Sequence, residues 1–100
     1  MVSRSNSDSV PEGVQMFLSF GSKHIPHPLF PGMSRNHVVG VIGDDYDTAM
    51  GTIRERFSVD GRLAGYSMHY RADEWDLSRQ FFPGGFAYVI EPDGSIRAVG

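Results

Sequence analysis

Apolar and polar residues alternate along the first patterned segment of the chain, VQMFLSF at residues 14–20. A period of two is typical of a half-buried β-strand, and it predicts that Val14, Met16 and Leu18 share one face. Phe17 interrupts this alternation because it puts an aromatic side chain on the opposite face. We therefore expect the second face of the strand to be partly covered as well.

A second strand and a helix follow. HVVGVI at residues 37–42 is β-branched and nearly continuously apolar, as in a strand that is buried on both faces. Next, Asp44 or Asp45 can accept hydrogen bonds from the free amides of a first helical turn, which predicts a helix over about residues 45–58. Its apolar stripe has the spacing i, i+3, i+4, i+7 and i+11 and comprises Tyr46, Ala49, Met50, Ile53 and Phe57.

The stretch after the helix predicts a third strand and a short helical turn. Residues 63–70 alternate in the manner of a strand, with tyrosines among the side chains. Residues 71–81 are predicted to form a short helical turn, with Asp73 as its cap and Trp75 packed against the sheet.

The C-terminal residues carry a hairpin signal. Phe86–Ile90 and Ser95–Val99 flank EPDG, in which proline presets the first turn angle and glycine supplies a positive φ. The order β-β-α-β-β-β predicts an α+β domain of about five strands over residues 13–100, with a mainly antiparallel sheet and one helix across a face. A parallel crossover through the helix stays open as an alternative. Residues 1–12 are predicted to be a disordered tail because they are polar and almost without apolar side chains.

Composition limits the classes of function. The chain has 100 residues, 40% of them hydrophobic, which suffices for one core. It has no cysteine, a net charge of −3 and no apolar run long enough to span a bilayer, so we expect a soluble protein without disulfides. Nucleic-acid binding is disfavoured because the basic residues are scattered among acids. It would require folding to gather Arg54, Arg56, Arg62, Arg71 and Arg79 onto one face.

Three histidines offer an alternative function. His24 and His27 lie in a proline-rich loop over residues 21–36, and His37 follows it, so the three could hold a metal ion as a binding module or a metal-dependent enzyme. Pro26 opposes the helical turn that would bring His24 and His27 onto one side. We therefore favour a stiff polar connection, and we predict no cofactor.

Catalytic motifs point away from an enzyme. GVIGDD precedes the helix, but it matches neither dinucleotide-binding nor phosphate-loop spacing, and two carboxylates stand where a phosphate would bind. The chain has no nucleophile elbow of the G-x-S-x-G type. We predict a protein that is not an enzyme and has no small-molecule substrate.

The aromatic segment near the C-terminus predicts a contact surface. Trp75, Phe81 and Phe82, with Arg71 and Arg79 beside them, have the composition of residues that anchor protein interfaces, including homodimers. The alternative is that the aromatic side chains cover an open face of the sheet. With the edge of the C-terminal hairpin, this segment predicts a protein that acts through self-association or by binding a protein partner.

A family resemblance extends over roughly residues 14–70. The motifs that carry it are Ser19–Phe20–Gly21, Asp45–Tyr46–Asp47–Thr48–Ala49, Arg56–Phe57 and Tyr66 to Tyr70. In these motifs the chain resembles small proteins of unknown function carried by phages of actinobacteria, of the mycobacterial type. It departs from that pattern by having Ser58–Val59–Asp60–Gly61 in place of a Gly-x-x-Trp segment. The resemblance implies a viral accessory protein in the host cytoplasm, and it implies no activity.

Overall fold

The computed structural model describes residues 9–20, 27–57, 62–63 and 68–99. Its elements form one five-stranded sheet with a helical layer on each side. In chain order the strands are β1 (Val14–Ser19), β2 (His37–Ile42), β3 (Met68–Arg71), β4 (Gly85–Ile90) and β5 (Ile96–Ala98). The helices are α1 (Tyr46–Phe57) and the short α2 (Trp75–Ser78), and 3-10 turns flank α2 at Ala72–Glu74 and Arg79–Phe81.

The sheet has the strand order β3-β1-β2-β4-β5. β2 and β4 pair in parallel, and the other three neighbouring pairs are antiparallel. The predicted α+β fold with a mainly antiparallel sheet is therefore confirmed. β2 and β3 both run antiparallel to β1, which lies between them. The α1 connection is thus a crossover between two strands of the same direction, the alternative that the sequence left open.

Helix α1 begins and ends close to the predicted positions. The Oδ1 atom of Asp45 accepts the backbone N–H of Thr48 at 2.7 Å, so Asp45 caps the first turn. The apolar stripe packs on the first face of the sheet. Thr52 is not part of the predicted stripe, yet it is buried, and its hydroxyl donates to the carbonyl of Thr48 at 3.2 Å. The buried residues of this first cluster are Met16, Leu18, Phe30, Met33, Val39, Val41, Ala49, Ile53, Phe57, Leu63 and Ile90.

Two β-bulges change which side chains reach the second face. In β1, Val14 pairs with Ile42 and Met16 with Val41, so Gln15 is an extra residue. Val14 therefore joins the second face, and the prediction that it shares a face with Met16 is wrong. In β4, Ala87 is the extra residue between the partners of Val38 and Val39.

The second face is covered by residues 72–84, which we call the crossover segment. This segment follows β3, which is at one edge of the sheet, and leads into β4. β1 and β2 lie between these two strands, so the segment crosses over both. Its inward side chain, Trp75, completes a second cluster. The buried residues of that cluster are Val14, Phe17, Val38, Trp75, Phe86 and Val89.

The C-terminal hairpin is confirmed at the predicted turn. The N–H of Gly94 donates to the carbonyl of Glu91 at 2.8 Å, and Gly94 has a φ of 89°, which glycine adopts without strain. In the described residues the third strand is Met68–Arg71. Leu63, where the strand was predicted to begin, lies in a turn with its side chain buried, and residues 64–67 lie outside the described part.

The predicted tail extends over residues 1–12, of which 1–8 lie outside the described part. Within residues 9–12, Val10 is half-buried and packs against the second cluster. The packed body therefore includes residues slightly before the predicted boundary at 13.

Candidate functional site

Phe17 lies at the centre of the second cluster. Its ring stacks on Tyr70 at 4.9 Å between centroids and meets Trp75 edge-on at 5.3 Å and Phe86 at 5.8 Å. Gly40 makes room for this group, because a Cβ there would approach the Cγ2 atom of Val14 to 2.8 Å. Aromatic pairs in these geometries stabilise a core beyond their buried area. The rings therefore fix the crossover segment on the sheet.

Trp75 is part of this core. Only 2% of its surface is exposed, and its ring lies 4.7 Å from that of Phe86. Trp75, which was named among the partner-binding residues, therefore presents almost no surface to a partner, because the indole packs toward the sheet as the predicted helical turn required. The alternative, that Trp75 covers the open face, is what the structure shows.

The outer side of the crossover segment is apolar at two positions. Leu77 is 77% exposed and Phe81 is 69% exposed, whereas Trp75 and Ser78 of the same segment are buried. Leu77 and Phe81 are four residues apart, so successive helical turns bring them to the same side. The sequence interpretation included Phe81 and missed Leu77. The i, i+4 spacing of the two was the available signal.

Strand β3, at an edge of the sheet, carries a third exposed apolar side chain. Met68 is 55% exposed, and the hydroxyl of Tyr70 lies 3.6 Å from its sulfur atom. Alternate residues of a strand share a face, so Met68 and Tyr70 lie on the second face with Phe17. The half-buried Phe82 meets Tyr70 edge-on at 6.0 Å between centroids and connects the strand with the crossover segment.

We call Met68, Leu77 and Phe81 the outer patch. They are the exposed large hydrophobic residues in the part of the chain that the structure describes. All three belong to β3 or to the crossover segment. β5, whose edge was predicted to belong to the same surface, lies at the opposite end of the sheet from β3. The two edges are therefore separate surfaces.

The two arginines predicted for the surface have different positions. Arg71 ends β3, and its guanidinium carbon lies 3.8 Å from the ring centroid of Tyr46, the first residue of α1. This cation–π contact directs Arg71 toward the first face, away from Phe81. Its backbone N–H donates to Glu74 at 2.8 Å and fixes the start of the crossover segment. Arg79 is exposed on the crossover segment itself.

Arg56 and Arg62 lie on the same side of the sheet as the side chain of Arg71. Arg56 donates to the carbonyl of Pro92 at 3.1 Å, and the guanidinium carbon of Arg62 lies 5.4 Å from the ring centroid of Phe57. Both contacts belong to the layer of α1, whereas Arg79 belongs to the opposite layer. Arg79 therefore does not share the side that holds Arg56, Arg62 and Arg71, so the five arginines of the nucleic-acid alternative are not all on one face.

Of the three histidines in the metal alternative, two lie within the described residues and one lies outside them. His24 lies outside them. The Nδ1 atom of His27 accepts the N–H of Leu29 at 3.1 Å, and the Nδ1 atom of His37 accepts the N–H of Ser34 at 3.2 Å. Within the described ranges, no group of three or more histidine, aspartate or glutamate side chains is placed to hold a metal ion. The metal alternative therefore gains no support from these residues.

The carboxylate of Asp45 lies at the N-terminus of α1. Hydrogen bonds from the backbone N–H of Thr48 and from its side chain hold the pKa of Asp45 below its usual range. The carboxylate of Asp45 bonds to the N–H of Thr48 and places a negative charge at that turn, which disfavours a phosphate there. Capping accounts for Asp45, as predicted.

The fold and the outer patch define a two-sided α+β domain with exposed apolar side chains on the crossover segment and on the edge strand β3. None of the helices in the described ranges is long and apolar enough to cross a membrane. Comparison with protein-family models, with curated proteins and with solved structures finds no match for this chain.

Proposed function

We propose that this protein acts by binding another protein through the outer patch, as a homo-oligomer or with a host protein. The observation that carries the proposal is the exposure of Leu77, Phe81 and Met68 at 77%, 69% and 55% on neighbouring elements. Large apolar side chains that are grouped on a surface mark contact sites more often than isolated ones do. Their burial against a partner would supply the hydrophobic part of the binding free energy.

The surroundings of the patch suit a protein partner. Asp73, Asp76 and Arg79 are exposed on the same segment and supply a charged rim of both signs. β3 is an edge strand, so its outer side offers backbone groups to an added strand. The second cluster holds the segment on the sheet, which limits the entropy lost when a partner binds.

The setting is a further part of the proposal. The resemblance of residues 14–70 to small actinobacterial phage proteins supports a phage accessory protein that works in the cytoplasm of its host. Such a protein acts by contact rather than by catalysis. Among the described residues, no three metal-ligating side chains are grouped to hold an ion, so no observation favours the metal alternative.

The test compares the protein with a Leu77→Ser/Phe81→Ser variant. We expect the 11.1 kDa chain either to form a dimer in light scattering or to retain one stoichiometric partner from an actinobacterial lysate. The double variant should bind at least about tenfold more weakly, because central apolar residues dominate interface energies. Glu55→Ser, which removes an exposed side chain from α1, is the matched control and should bind normally.

Two outcomes would contradict the proposal. One is a strict monomer that captures no stoichiometric partner. The other is a double variant that binds as well as the control. Both substitutions remove exposed side chains, so the free energy of unfolding should stay within about 0.5 kcal/mol of the parent value and confirm that folding is intact.

A further inference from the structure

Strand β3 is paired on one side only in the described part of the chain. It is the last strand at its end of the sheet, and its neighbour is β1, with Arg71 opposite Met16 and Tyr70 opposite Phe17. A strand at a sheet edge presents backbone N–H and C=O groups to any extended chain that approaches, including a second copy of the same protein. The pairing with β1 determines which groups of β3 point outward.

The backbone N–H of Arg71 points away from β1. It donates to the Oε2 atom of Glu74 at 2.8 Å, so it takes no part in the ladder with β1. In an antiparallel pair, hydrogen-bonded and non-hydrogen-bonded positions alternate along each strand. Arg71 and His69 are therefore both non-hydrogen-bonded positions of this pair, and their backbone groups face the outer edge. The backbone groups of Tyr70 face β1.

Glu74 reaches the edge because the chain turns directly after β3. Residues Ala72–Glu74 form a 3-10 turn, and the side chain of its last residue folds back onto the N–H of Arg71, as the glutamate of a capping box does. The carboxylate of Glu74 thereby lies where a neighbouring strand would place a carbonyl oxygen. A hydrogen bond to a charged acceptor is stronger than one to a neutral carbonyl, so an incoming strand gains little by replacing it.

Pairing of β3 with a second copy of itself would need the N–H of Arg71. Antiparallel pairing centred on Tyr70 would place His69 of each copy opposite Arg71 of the other, and these are the positions whose backbone groups face outward. Half of the hydrogen bonds of that pairing involve the N–H of Arg71. The side chains of the second face would favour the pairing, because it would bring together the tyrosines and the 55% exposed Met68 of both copies.

We propose that Glu74 protects the outer edge of β3 from pairing with a second copy of this chain, while the outer patch stays exposed. Its carboxylate occupies the N–H of Arg71 and puts a negative charge where an incoming carbonyl oxygen would lie. A strand of another protein can be added at this edge only if it displaces the carboxylate. The proposal concerns the edge alone, so it holds whether or not the outer patch binds a partner.

The test compares Glu74→Ala with Asp76→Ala, which removes the same charge from an exposed position of the crossover segment. Both are made in the Leu77→Ser/Phe81→Ser background, so that contacts of the outer patch do not contribute. In sedimentation equilibrium, the dimer dissociation constant of the Glu74→Ala protein should be at least about tenfold lower than that of the control, because the freed N–H groups add hydrogen bonds. Glu74→Gln keeps an oxygen acceptor for Arg71 and should behave as the control.

Hydrogen exchange measured by NMR locates the pairing. In the parent protein, the amide of His69 should exchange at close to its intrinsic rate, because it faces outward, and in the Glu74→Ala dimer it should gain about tenfold protection. Equal association of the Glu74→Ala and Asp76→Ala proteins, or association without protection at His69, overturns the proposal, as does a Glu74→Gln protein that associates like Glu74→Ala. If Glu74→Ala does not fold, the parent decides. An amide of His69 as strongly protected as that of Tyr70 would show that the edge is already covered and would contradict the proposal.

Discussion

The two faces of the sheet are covered in different ways. On the first face, the 12-residue helix α1 presents a regular apolar stripe, and its charged residues are exposed. On the second face, the crossover segment has only a short helix flanked by 3-10 turns. It buries Trp75 but leaves Leu77 and Phe81 exposed on its outer side.

This difference gives the two layers different roles. The layer of α1 contributes to stability, whereas the crossover segment also offers apolar side chains to a partner. A long amphipathic helix can place all its large apolar residues on the inside, so nothing apolar remains for a partner. The crossover segment consists of three short turns. It buries the side chain of Trp75 and leaves those of Leu77 and Phe81 exposed. The first face is therefore a closed layer, and the second face is the one that we expect to bind.

The largest expected effect tests whether the buried and the exposed aromatic residues of the crossover segment contribute differently to the free energy of unfolding. Trp75→Ala should lower the free energy of unfolding by about 3–5 kcal/mol, because it empties the centre of the second cluster. Phe57→Ala should have a similar effect on the first face. Phe81→Ala should change the value by no more than about 0.5 kcal/mol, because this ring is 69% exposed.

Urea unfolding of the three variants provides the measurement. Comparable losses at positions 75 and 81 would contradict the division into an anchored inner side and a free outer side. Trp75→Phe offers an intermediate control, because its indole N–H has no hydrogen-bond partner in the described part of the chain and nothing polar is lost with it.

An effect of intermediate size on the free energy of unfolding is expected at Gly40, in the middle of β2. Gly40→Ala should lower the free energy of unfolding by about 1–3 kcal/mol, since the new methyl group would overlap Val14 and lie 3.2 Å from Phe86. Gly51→Ala is the matched control in α1, where an added Cβ meets nothing within 4 Å. It should stabilise the protein by about 0.5–1 kcal/mol through helix propensity. Thermal or urea unfolding that shows the same sign for both substitutions would show that the second cluster is not tightly packed.

The smallest expected effect concerns the cap of α1. The pKa of Asp45 is lowered in the folded protein by its bonds from Thr48, so its stabilisation is complete above the unfolded value of about 3.9 and is lost as the pH falls through the folded value. Asp45→Asn keeps the cap and removes this titration. The stability difference between the parent and this variant should therefore shift in favour of Asn below about pH 4. A difference that stays constant from pH 6 to pH 2.5 would argue against an ionised cap.

The regular elements could be predicted because their periodicity is local. The stripe of α1 and its cap at Asp45 depend on residues a few positions apart, and the turn at Gly94 depends on four residues. The sheet faces could not be predicted in full, because the bulges at Gln15 and Ala87 are set by pairing with distant strands. Val14 changed face for that reason.

The candidate surface was predicted only in part. Phe81 was included, but the orientation of Trp75 depends on Phe17 and Phe86, which lie far from it in sequence. Arg71 was assigned to the same surface from its position in the chain, whereas its stacking on Tyr46 depends on where α1 begins. Contacts of this kind require the tertiary fold.

The central claim is that the second face, and not the first, meets a partner. The most direct measurement is photo-crosslinking in an actinobacterial lysate and in the purified protein, with benzoylphenylalanine in place of either Phe81 or Glu55, an exposed position on α1. The account predicts one adduct of defined mass from position 81 and none from position 55. No adduct from position 81, or the same adducts from both positions, would contradict it.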